Sequence, residues 1–245
     1  MKSLFLIILS AMMSFGETPK VTKENITQPI SVAMTKMEKK VRNAAVKVHS
    51  PNGHGSGSLI KYKGSHFIIT AFHVVEAERI YFGKTFLIQG INQTKNASLV
   101  YFNKTHDIAV LYLPKEEHFH YTTPMKWKPH DGKPPVGVAI TYSGYPSWHN
   151  LMTFRGRVAG YEVFGEIGEQ IILNIYGWFG SSGSVVYTEK GDIIGLLWAV
   201  DVEQHPAFQV NEDMVWISPV IHINMKEALR AVCSHAVSLP RGCEQ

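Results

Sequence analysis

Short apolar runs, rich in Val, Ile, Tyr and Phe, dominate the chain from residue 44 onward, and turns containing Gly, Pro or Asn separate them. Many short strands with regular turn signals are typical of sandwiches and barrels, not of alternating β and α units. A polar, His-rich stretch from Pro114 to Pro135 divides the runs into two sets of about six. The candidate strands are 44–49, 57–62, 66–70, 79–88, 97–102 and 107–113, followed by 136–142, 153–164, 169–176, 184–187, 192–200 and 213–218. This pattern predicts an all-β chain of two packed, six-stranded antiparallel β-barrels.

The N-terminus has the order of features found in a secretory signal peptide. A positive residue, Lys2, precedes a short apolar run beginning at Leu4, and small residues follow near Gly16. We place cleavage after Gly16. The apolar run is too short to span a bilayer comfortably. We therefore expect a secreted or extracytoplasmic protein, with an uncleaved anchor or a buried first strand as the alternative.

A polar leader separates this segment from the first barrel, and a short helix is predicted over 31–42. The leader is either an inhibitory pro-segment or a tether. A final helix is predicted over 223–232. The expected organisation is a signal peptide at 1–16, the leader at 17–43, an N-terminal barrel at 44–125, a C-terminal barrel at 126–222, and a C-terminal helix and tail at 223–245.

Composition and charge narrow the possible functions. Hydrophobic residues make up 45% of the 245 residues and charged residues 18%, so the chain can fold without metal or disulfide staples. The net charge is +4 and the Lys and Arg residues are scattered, which does not indicate a nucleic-acid surface. Cys233 and Cys243 either close a short loop in an oxidising compartment or remain thiols. No later segment reaches transmembrane length, so no stable membrane span is expected.

Asn-x-Ser/Thr sequons provide a further indication of exposed surface. They begin at Asn25, Asn92, Asn96 and Asn103. In a eukaryotic secretory pathway such motifs predict a glycoprotein. Three of them lie between His73 and Asp107, so we expect that connection to be solvated.

The segment from Gly177 to Val185 carries the clearest chemical signal. Within it, Ser182 has glycine two positions before it, at Gly180, and one position after it, at Gly183. Glycine permits a turn too tight for larger residues and leaves room for a substrate carbonyl. Such a turn can direct the N–H groups of Gly180 and Ser182 at a single point, as an oxyanion hole requires.

A histidine and an aspartate precede this serine along the chain. His73 lies in Thr-Ala-Phe-His-Val-Val, and Asp107 lies in His-Asp-Ile-Ala-Val-Leu. Together they provide a predicted nucleophile, Ser182, a general base and acid, His73, and a carboxylate, Asp107, that orients the imidazole. Glu76, the other candidate for this carboxylate, is interpreted as a surface residue.

Several segments, in order, resemble chymotrypsin-fold serine proteases, more closely the bacterial HtrA/Deg branch and viral relatives than digestive trypsins. The matching segments are Gly55–Ile60, Phe67–Val75, His106–Leu111, Ser143–Pro146, Gly180–Ser184 and Asp192–Leu197. The resemblance covers roughly residues 44 to 230 and implies two β-barrels with the triad in the cleft between them.

Departures from the family pattern modify this expectation. Val74 stands where digestive members have a cysteine, so the usual core disulfide is absent. Ser181 replaces the aspartate that captures a freed N-terminus, so activation by that salt bridge is not expected. Ser184 replaces the second glycine after the nucleophile. HtrA proteins usually carry a PDZ module after the protease, and this chain is expected to lack one.

The resemblance also implies a specificity pocket. Its floor would be Tyr176 and one wall Trp198, Ala199 and Val200, with Met214 and Trp216 opposite and Asp201 nearby. Because no acid occupies the floor, an uncharged residue is expected before the scissile bond of the substrate (P1).

Other motifs have plainer interpretations. His118 and His120 form a His-x-His without a third ligand in sight, which favours a solvated linker over a metal site. The run Gly53–Gly57 lacks the ending of a phosphate loop and is interpreted as a tight turn between strands. No cofactor is implied, and the partner is a protein or peptide substrate. The alternatives to a secreted protease are a catalytically silent protease-fold binding protein and a viral processing protease.

Overall fold

The computed structural model describes residues 7–8, 33–50, 53–76, 82–204, 208–235 and 243. The strands are β1 (Ile7–Ile8), β2 (Ala45–Ser50), β3 (Gly53–Tyr62), β4 (Ser65–Ala71), β5 (Thr85–Gly90), β6 (Gln93–Asn103), β7 (Ile108–Leu113), β8 (Met125–Lys126), β9 (Ala139–Gly144), β10 (Met152–Phe164), β11 (Gly168–Asn174), β12 (Val185–Thr188), β13 (Ile193–Gln204) and β14 (Phe208–Pro219). The α-helices are α1 (Lys36–Ala44), α2 (Phe72–Val75) and α3 (Met225–His235), and short 3₁₀ turns span Lys115–Glu117, Gly165–Ile167 and Val220–His222.

These strands form two closed six-stranded antiparallel barrels, as the sequence predicts. The first has the order β2-β5-β6-β7-β4-β3 and is closed by pairing of β2 with β3. The second has the order β13-β12-β9-β10-β11-β14 and is closed by pairing of β13 with β14. Two short strands lie outside the barrels: β8 pairs parallel to β3, and β1 pairs antiparallel to β13 at Ala199 and Val200. Closure leaves neither barrel with a free edge.

Each barrel has an apolar core of buried side chains, and the first core continues onto Val185, Tyr187, Ile193 and Leu196 of β12 and β13. The first core contains large side chains that are fully buried, among them Leu59, Phe67, Ile69 and Leu111. The second core is built around Tyr142, Leu173, Leu197, Val215 and Ile217. Burial alternates along β5 and β6, where residues two apart share a face, whereas β4 and β7 are buried along almost their whole length.

Helix α1 begins at a capping box, in which Thr35 accepts from the Glu38 N–H and Glu38 accepts from the Thr35 N–H. The helix joins the barrels, because Val41 and Ala44 are buried in the first core while the Glu38 carboxylate pairs with Arg155 on β10. The predicted helix over 31–42 therefore exists but lies over 36–44. This stretch is part of the folded body.

Helix α3 follows the second barrel in sequence yet packs on the first. Its buried residues Ala228, Leu229 and Val232 belong to the first core. A disulfide joins Cys233 to Cys243, and both cysteines pack against the same core. Of the two states that the sequence left open for these cysteines, the structure has the disulfide.

The interpretation of Gly53–Gly57 as a turn is wrong, because these residues form the first half of β3 and pair with β2. Gly55 and Gly57 stand here because neighbouring atoms leave no room for a side chain, and not because the chain bends. A Cβ on Gly55 would overlap Val74, and one on Gly57 would lie 2.9 Å from the Ile69 carbonyl oxygen.

The linker between the barrels is less solvated than its composition suggests. Thr122 and Met125 are buried, and the His118 ring stacks on His66 with centroids 3.9 Å apart. His120 is exposed. Across the described ranges, no helix combines the length and apolar character needed to cross a bilayer.

Candidate active site

His73 lies at the end of β4, where the strand gives way to the single turn of α2. The backbone there is fixed by a hydrogen bond from the Phe72 N–H to the Asp107 carbonyl oxygen, 3.0 Å. The Asp107 carboxylate accepts from the His73 N–H at 2.8 Å and lies 2.6 Å from the His73 Nδ1. His73 and Asp107 therefore meet through two contacts, and the Phe72 N–H supplies a third contact to Asp107.

This pairing determines which ring nitrogen carries the proton. An ionised carboxylate only accepts hydrogen bonds, so the proton lies on Nδ1 of His73 and Nε2 keeps its lone pair. Nε2 is buried and makes no hydrogen bond with any residue in the described part of the chain. A hydrogen bond between Ser182 and Nε2 of His73 is therefore not formed in this structure.

The loop that carries Asp107 is held from both barrels. Asp107 has φ +53°, in the left-handed region, and the Asn103 side chain accepts from the His106 N–H at 3.2 Å. From β14 of the second barrel, the Ser218 hydroxyl donates to the His106 carbonyl oxygen at 2.5 Å. The His106 ring also stacks on His222, with centroids 3.6 Å apart. These contacts fix a strained turn, which aims the carboxylate at His73.

The Ser182 loop, residues 175–184 between β11 and β12, packs directly against β3 and against β4, the strand that leads to His73. The Ser182 carbonyl oxygen accepts from the Ser56 N–H at 2.8 Å. At Gly183, where φ is +84°, a Cβ would overlap the Ser56 carbonyl and the Thr70 hydroxyl and lie 2.7 Å from the Ala71 nitrogen. Only glycine fits this site. The loop therefore touches β4 two residues before the histidine, and the three predicted triad residues come from adjoining segments.

Gly180 lies on the other side of Ser182, with φ +88° and little space around it. A Cβ there would lie 2.9 Å from Nε2 of His54, which is itself 3.0 Å from the Tyr145 carbonyl oxygen. The exposed Trp148 ring lies 5.6 Å from the His54 ring. Burial, with the nearby charge of Lys47 as a second cause, lowers the pKa of His54. The His54 imidazole therefore lies beside the predicted oxyanion donor, and the Trp148 indole lies next to that imidazole.

Tyr176, the predicted pocket floor, is half-buried. Its carbonyl oxygen accepts from the Tyr142 hydroxyl at 2.6 Å, and its ring stacks on Phe154 with centroids 5.1 Å apart. No charged group takes part in these contacts.

Gly177, which follows the predicted pocket floor in sequence, lies against apolar side chains. A Cβ on Gly177 would lie 2.6 Å from a methyl of Val215 and 3.3 Å from one of Val200. Asp201 accepts from the Asn211 side chain at 2.9 Å. Val200 therefore lies next to the predicted floor, and the carboxylate of Asp201 is hydrogen-bonded to Asn211.

The other predicted wall residues lie on a different face. Trp198 and Ala199 pack with Trp216 and Ile172 in a small cluster separate from the second core, whereas Val200 belongs to that core. A bulge between Leu197 and Ala199 shifts the strand register at this point. Met214, expected opposite, is 43% exposed.

Sequence reasoning missed several side chains that support this region. Ser56 and Tyr142 donate to carbonyls of the Ser182 loop, and Ser218 donates to the Asp107 loop. Each bond joins residues far apart in the chain, which no local spacing reveals. For Ser56 the Gly-Ser-Gly run was the available signal, because it marks a close approach of backbone.

In the part of the chain that the structure describes, His118 and His120 do not belong to a group of metal ligands. Across the described ranges, no group of three or more His, Cys, Asp or Glu residues is placed to hold a metal ion. The partner of His118 is His66, and the N–H of His120 donates to the Gln93 side chain at 2.8 Å.

Two closed β-barrels with a carboxylate–histidine pair beside a glycine-flanked serine define a protein of the chymotrypsin-like fold. Residues 55–196 match the trypsin-like peptidase domain, so the chain belongs to the trypsin-like peptidase family. No curated protein sequence matches it.

Solved structures show the same architecture. An inactive form of Rv3671c from M. tuberculosis H37Rv has a TM-score of 0.60 at 14% identity, covering 83% of this chain and 93% of that one. The serine endoprotease from Yersinia pestis has a TM-score of 0.57 at 20% identity, covering 80% of this chain and 68% of that one. At these identities the likeness concerns the fold, and the resemblance to chymotrypsin-fold proteases is confirmed.

Proposed function

We propose that the protein is a serine endopeptidase that hydrolyses peptide bonds through an acyl-enzyme on Ser182. One observation carries the proposal: His73 donates from Nδ1 to Asp107 and keeps a buried, unpartnered Nε2 beside the glycine-flanked serine loop. An imidazole in this tautomer can accept a proton at Nε2. Separations in the uncomplexed enzyme are often longer than in the substrate complex, so the serine–histidine bond is expected to form on binding.

The reaction begins when the Ser182 oxygen attacks the scissile carbonyl and its proton passes to Nε2 of His73. Asp107 stabilises the imidazolium that results. The oxyanion of the tetrahedral intermediate accepts from the N–H groups of Gly180 and Ser182, each contributing about 3 kcal/mol. Nε2 then protonates the leaving amine. Water repeats the sequence on the acyl-enzyme, and no cofactor is required.

Reaction with a fluorophosphonate tests the nucleophile directly. Wild-type protein should be labelled and Ser182→Ala should not. Ser184→Ala is the matched control: its hydroxyl is also buried and lies two residues away, and labelling should persist. Folded wild-type protein that takes no label would favour the alternative, a protease-fold binding protein without turnover.

For the substrate, we infer an uncharged P1 residue bound near Tyr176 and Val200, because Trp198 and Ala199, the other predicted wall residues, pack in a separate cluster. Support comes from the apolar contacts of Gly177 with Val200 and Val215, and from the engagement of Asp201 by Asn211. Cleavage of a peptide library should show apolar or aromatic P1 residues. Dominant cleavage after Arg would overturn this assignment.

A secreted or extracytoplasmic location is proposed from the signal-peptide pattern and the Cys233–Cys243 disulfide, since disulfides persist in oxidising compartments. Asn92 and Asn96 are exposed on the β5–β6 hairpin and are the proposed glycosylation sites. Recovery from the medium of expressing eukaryotic cells, with a mass decrease on glycosidase treatment, tests both parts. Intracellular retention of folded protein would contradict the location.

A further inference from the structure

Ser56 links the first barrel to the backbone of the serine loop. It lies on β3, is fully buried, and its hydroxyl donates to the Gly180 carbonyl oxygen at 2.7 Å. The Ser56 hydroxyl oxygen in turn accepts from the Tyr145 N–H at 2.8 Å. One side chain thus joins β3 to two loops of the second barrel, and both of its hydrogen bonds are buried.

The peptide on the other side of Gly180 is fixed as well. The Ser147 N–H donates to the Phe179 carbonyl oxygen at 2.5 Å. In a trans peptide the carbonyl and the following N–H point in opposite directions, so the Gly180 N–H points away from Ser147. Ser147 itself has φ +49°, a conformation rare outside glycine. Such strain persists only where the surroundings impose it.

Two anchored carbonyls therefore determine the conformation of Gly180. The Phe179 carbonyl fixes the peptide before it and the Gly180 carbonyl fixes the peptide after it, and between them φ is +88°. Loss of the Ser56 hydroxyl would free the Gly180 carbonyl, and glycine tolerates nearly all backbone conformations. It would also remove the acceptor of the Tyr145 N–H, two residues before Ser147. Since the Ser147 N–H holds the peptide that bears the Gly180 N–H, both constraints on the direction of that N–H would weaken.

We propose that Ser56 is a positioning residue that holds the Gly180 N–H in the direction required for oxyanion binding. This inference rests on the proposed peptidase function. Ser56 touches neither substrate nor reacting atoms and acts through Gly180. Through this hydrogen bond the neighbouring barrel holds the loop in its observed conformation.

The test compares two serines of the same strand. Ser56→Ala removes the anchor. Ser58→Ala is the matched control, since Ser58 is on the same face of β3, is also buried, and has a hydroxyl hydrogen bond of 2.7 Å, but to Tyr187. Both variants lose one buried hydroxyl, and only the first loses contact with the serine loop. Thermal unfolding measures the structural cost of each.

Ser56→Ala should lower kcat by about 10- to 100-fold, the cost of misplacing one catalytic group, while KM for a peptide selected from the library changes little. Its affinity for a peptide boronate, which places an oxygen in the hole, should fall by the same factor. Binding of the uncleaved peptide to a Ser182→Ala background should be unaffected. Ser58→Ala should retain the wild-type kcat and boronate affinity.

Ser56→Cys covers the case in which the alanine variant does not fold. It fills a similar volume but offers only a weak donor, so it should also lower kcat and boronate affinity. Wild-type kinetics in both Ser56 variants would refute the positioning role and leave the peptidase standing. Wild-type protein that neither reacts with fluorophosphonate nor cleaves peptides would instead refute the peptidase function.

Discussion

The stability of the protein should decrease in acid because of His66, and His66→Phe should remove part of that decrease. His66 is on β4, paired with Lys61 and Leu113, and its Nδ1 is buried without a partner among the described residues. Its ring stacks on His118. Burial first, and then the charges of His118 and Lys61, lower its pKa from 6.5 to about 4. Phenylalanine keeps a ring for stacking but cannot bind a proton.

The direction in which stability changes with pH follows from the number of protons that the folded and unfolded states bind. Between the folded and unfolded pKa values the unfolded chain holds more protons, so unfolding becomes easier as pH falls below 6.5, and the loss is complete near 4. A shift of this size corresponds to about 3 kcal/mol. Because the side chain is partly exposed, solvent screening reduces the expected contribution of His66 to about 1–2 kcal/mol.

Urea unfolding followed by tryptophan fluorescence, at about pH 7 and about pH 4.5, measures this contribution. The wild type should lose about 1–2 kcal/mol more than His66→Phe between the two conditions. His120→Phe makes the same replacement at an exposed site, and it should keep the wild-type pH dependence. An equal acid loss in wild type and His66→Phe would refute the reasoning.

Asp107→Asn should lower kcat for peptide hydrolysis by about 10⁴-fold, since an amide no longer fixes the proton on Nδ1 of the histidine; a loss below about tenfold would contradict the role. Gly55→Ala should cost about 1–3 kcal/mol in urea unfolding, because the added methyl overlaps Val74. Adding Val74→Ala should recover part of that cost, and strictly additive effects would disprove the contact. Replacing Cys233 and Cys243 by serine opens a crosslink with a sequence separation of 10, and should cost about 2–3 kcal/mol while leaving kcat unchanged. An unaltered melting temperature would rule out the disulfide.

Much of the fold could be predicted because its signals are local. Strands were recognised from short apolar runs and turns, and their number and order match the two barrels. The first half of β3 was missed, since glycines usually mark bends, and here they mark close packing against Val74 and Ile69. The linker was expected to be solvated, but Thr122 and Met125 are buried. Burial depends on which element lies above a residue, and the sequence near that residue does not contain this information.

The candidate site, too, could be predicted only in part from the sequence. The predicted triad follows from chemistry that the residue types and their neighbours display, and the structure pairs His73 with Asp107. The supporting contacts could not be inferred, because Ser218 reaches the Asp107 loop from the other barrel. For the predicted pocket wall, a register shift near Ala199 places Trp198 and Val200 in different clusters.

By itself, then, the sequence determined the kind of strands, the two-barrel class of fold, and which residue types were available as candidate reactive groups. These depend on properties within a few residues of each position. Only the tertiary structure decided that Ser56 would meet Gly180, 124 positions away, and that Asp107 would be held in a left-handed turn. Such contacts arise when two barrels pack together, and their geometry depends on the shape of both.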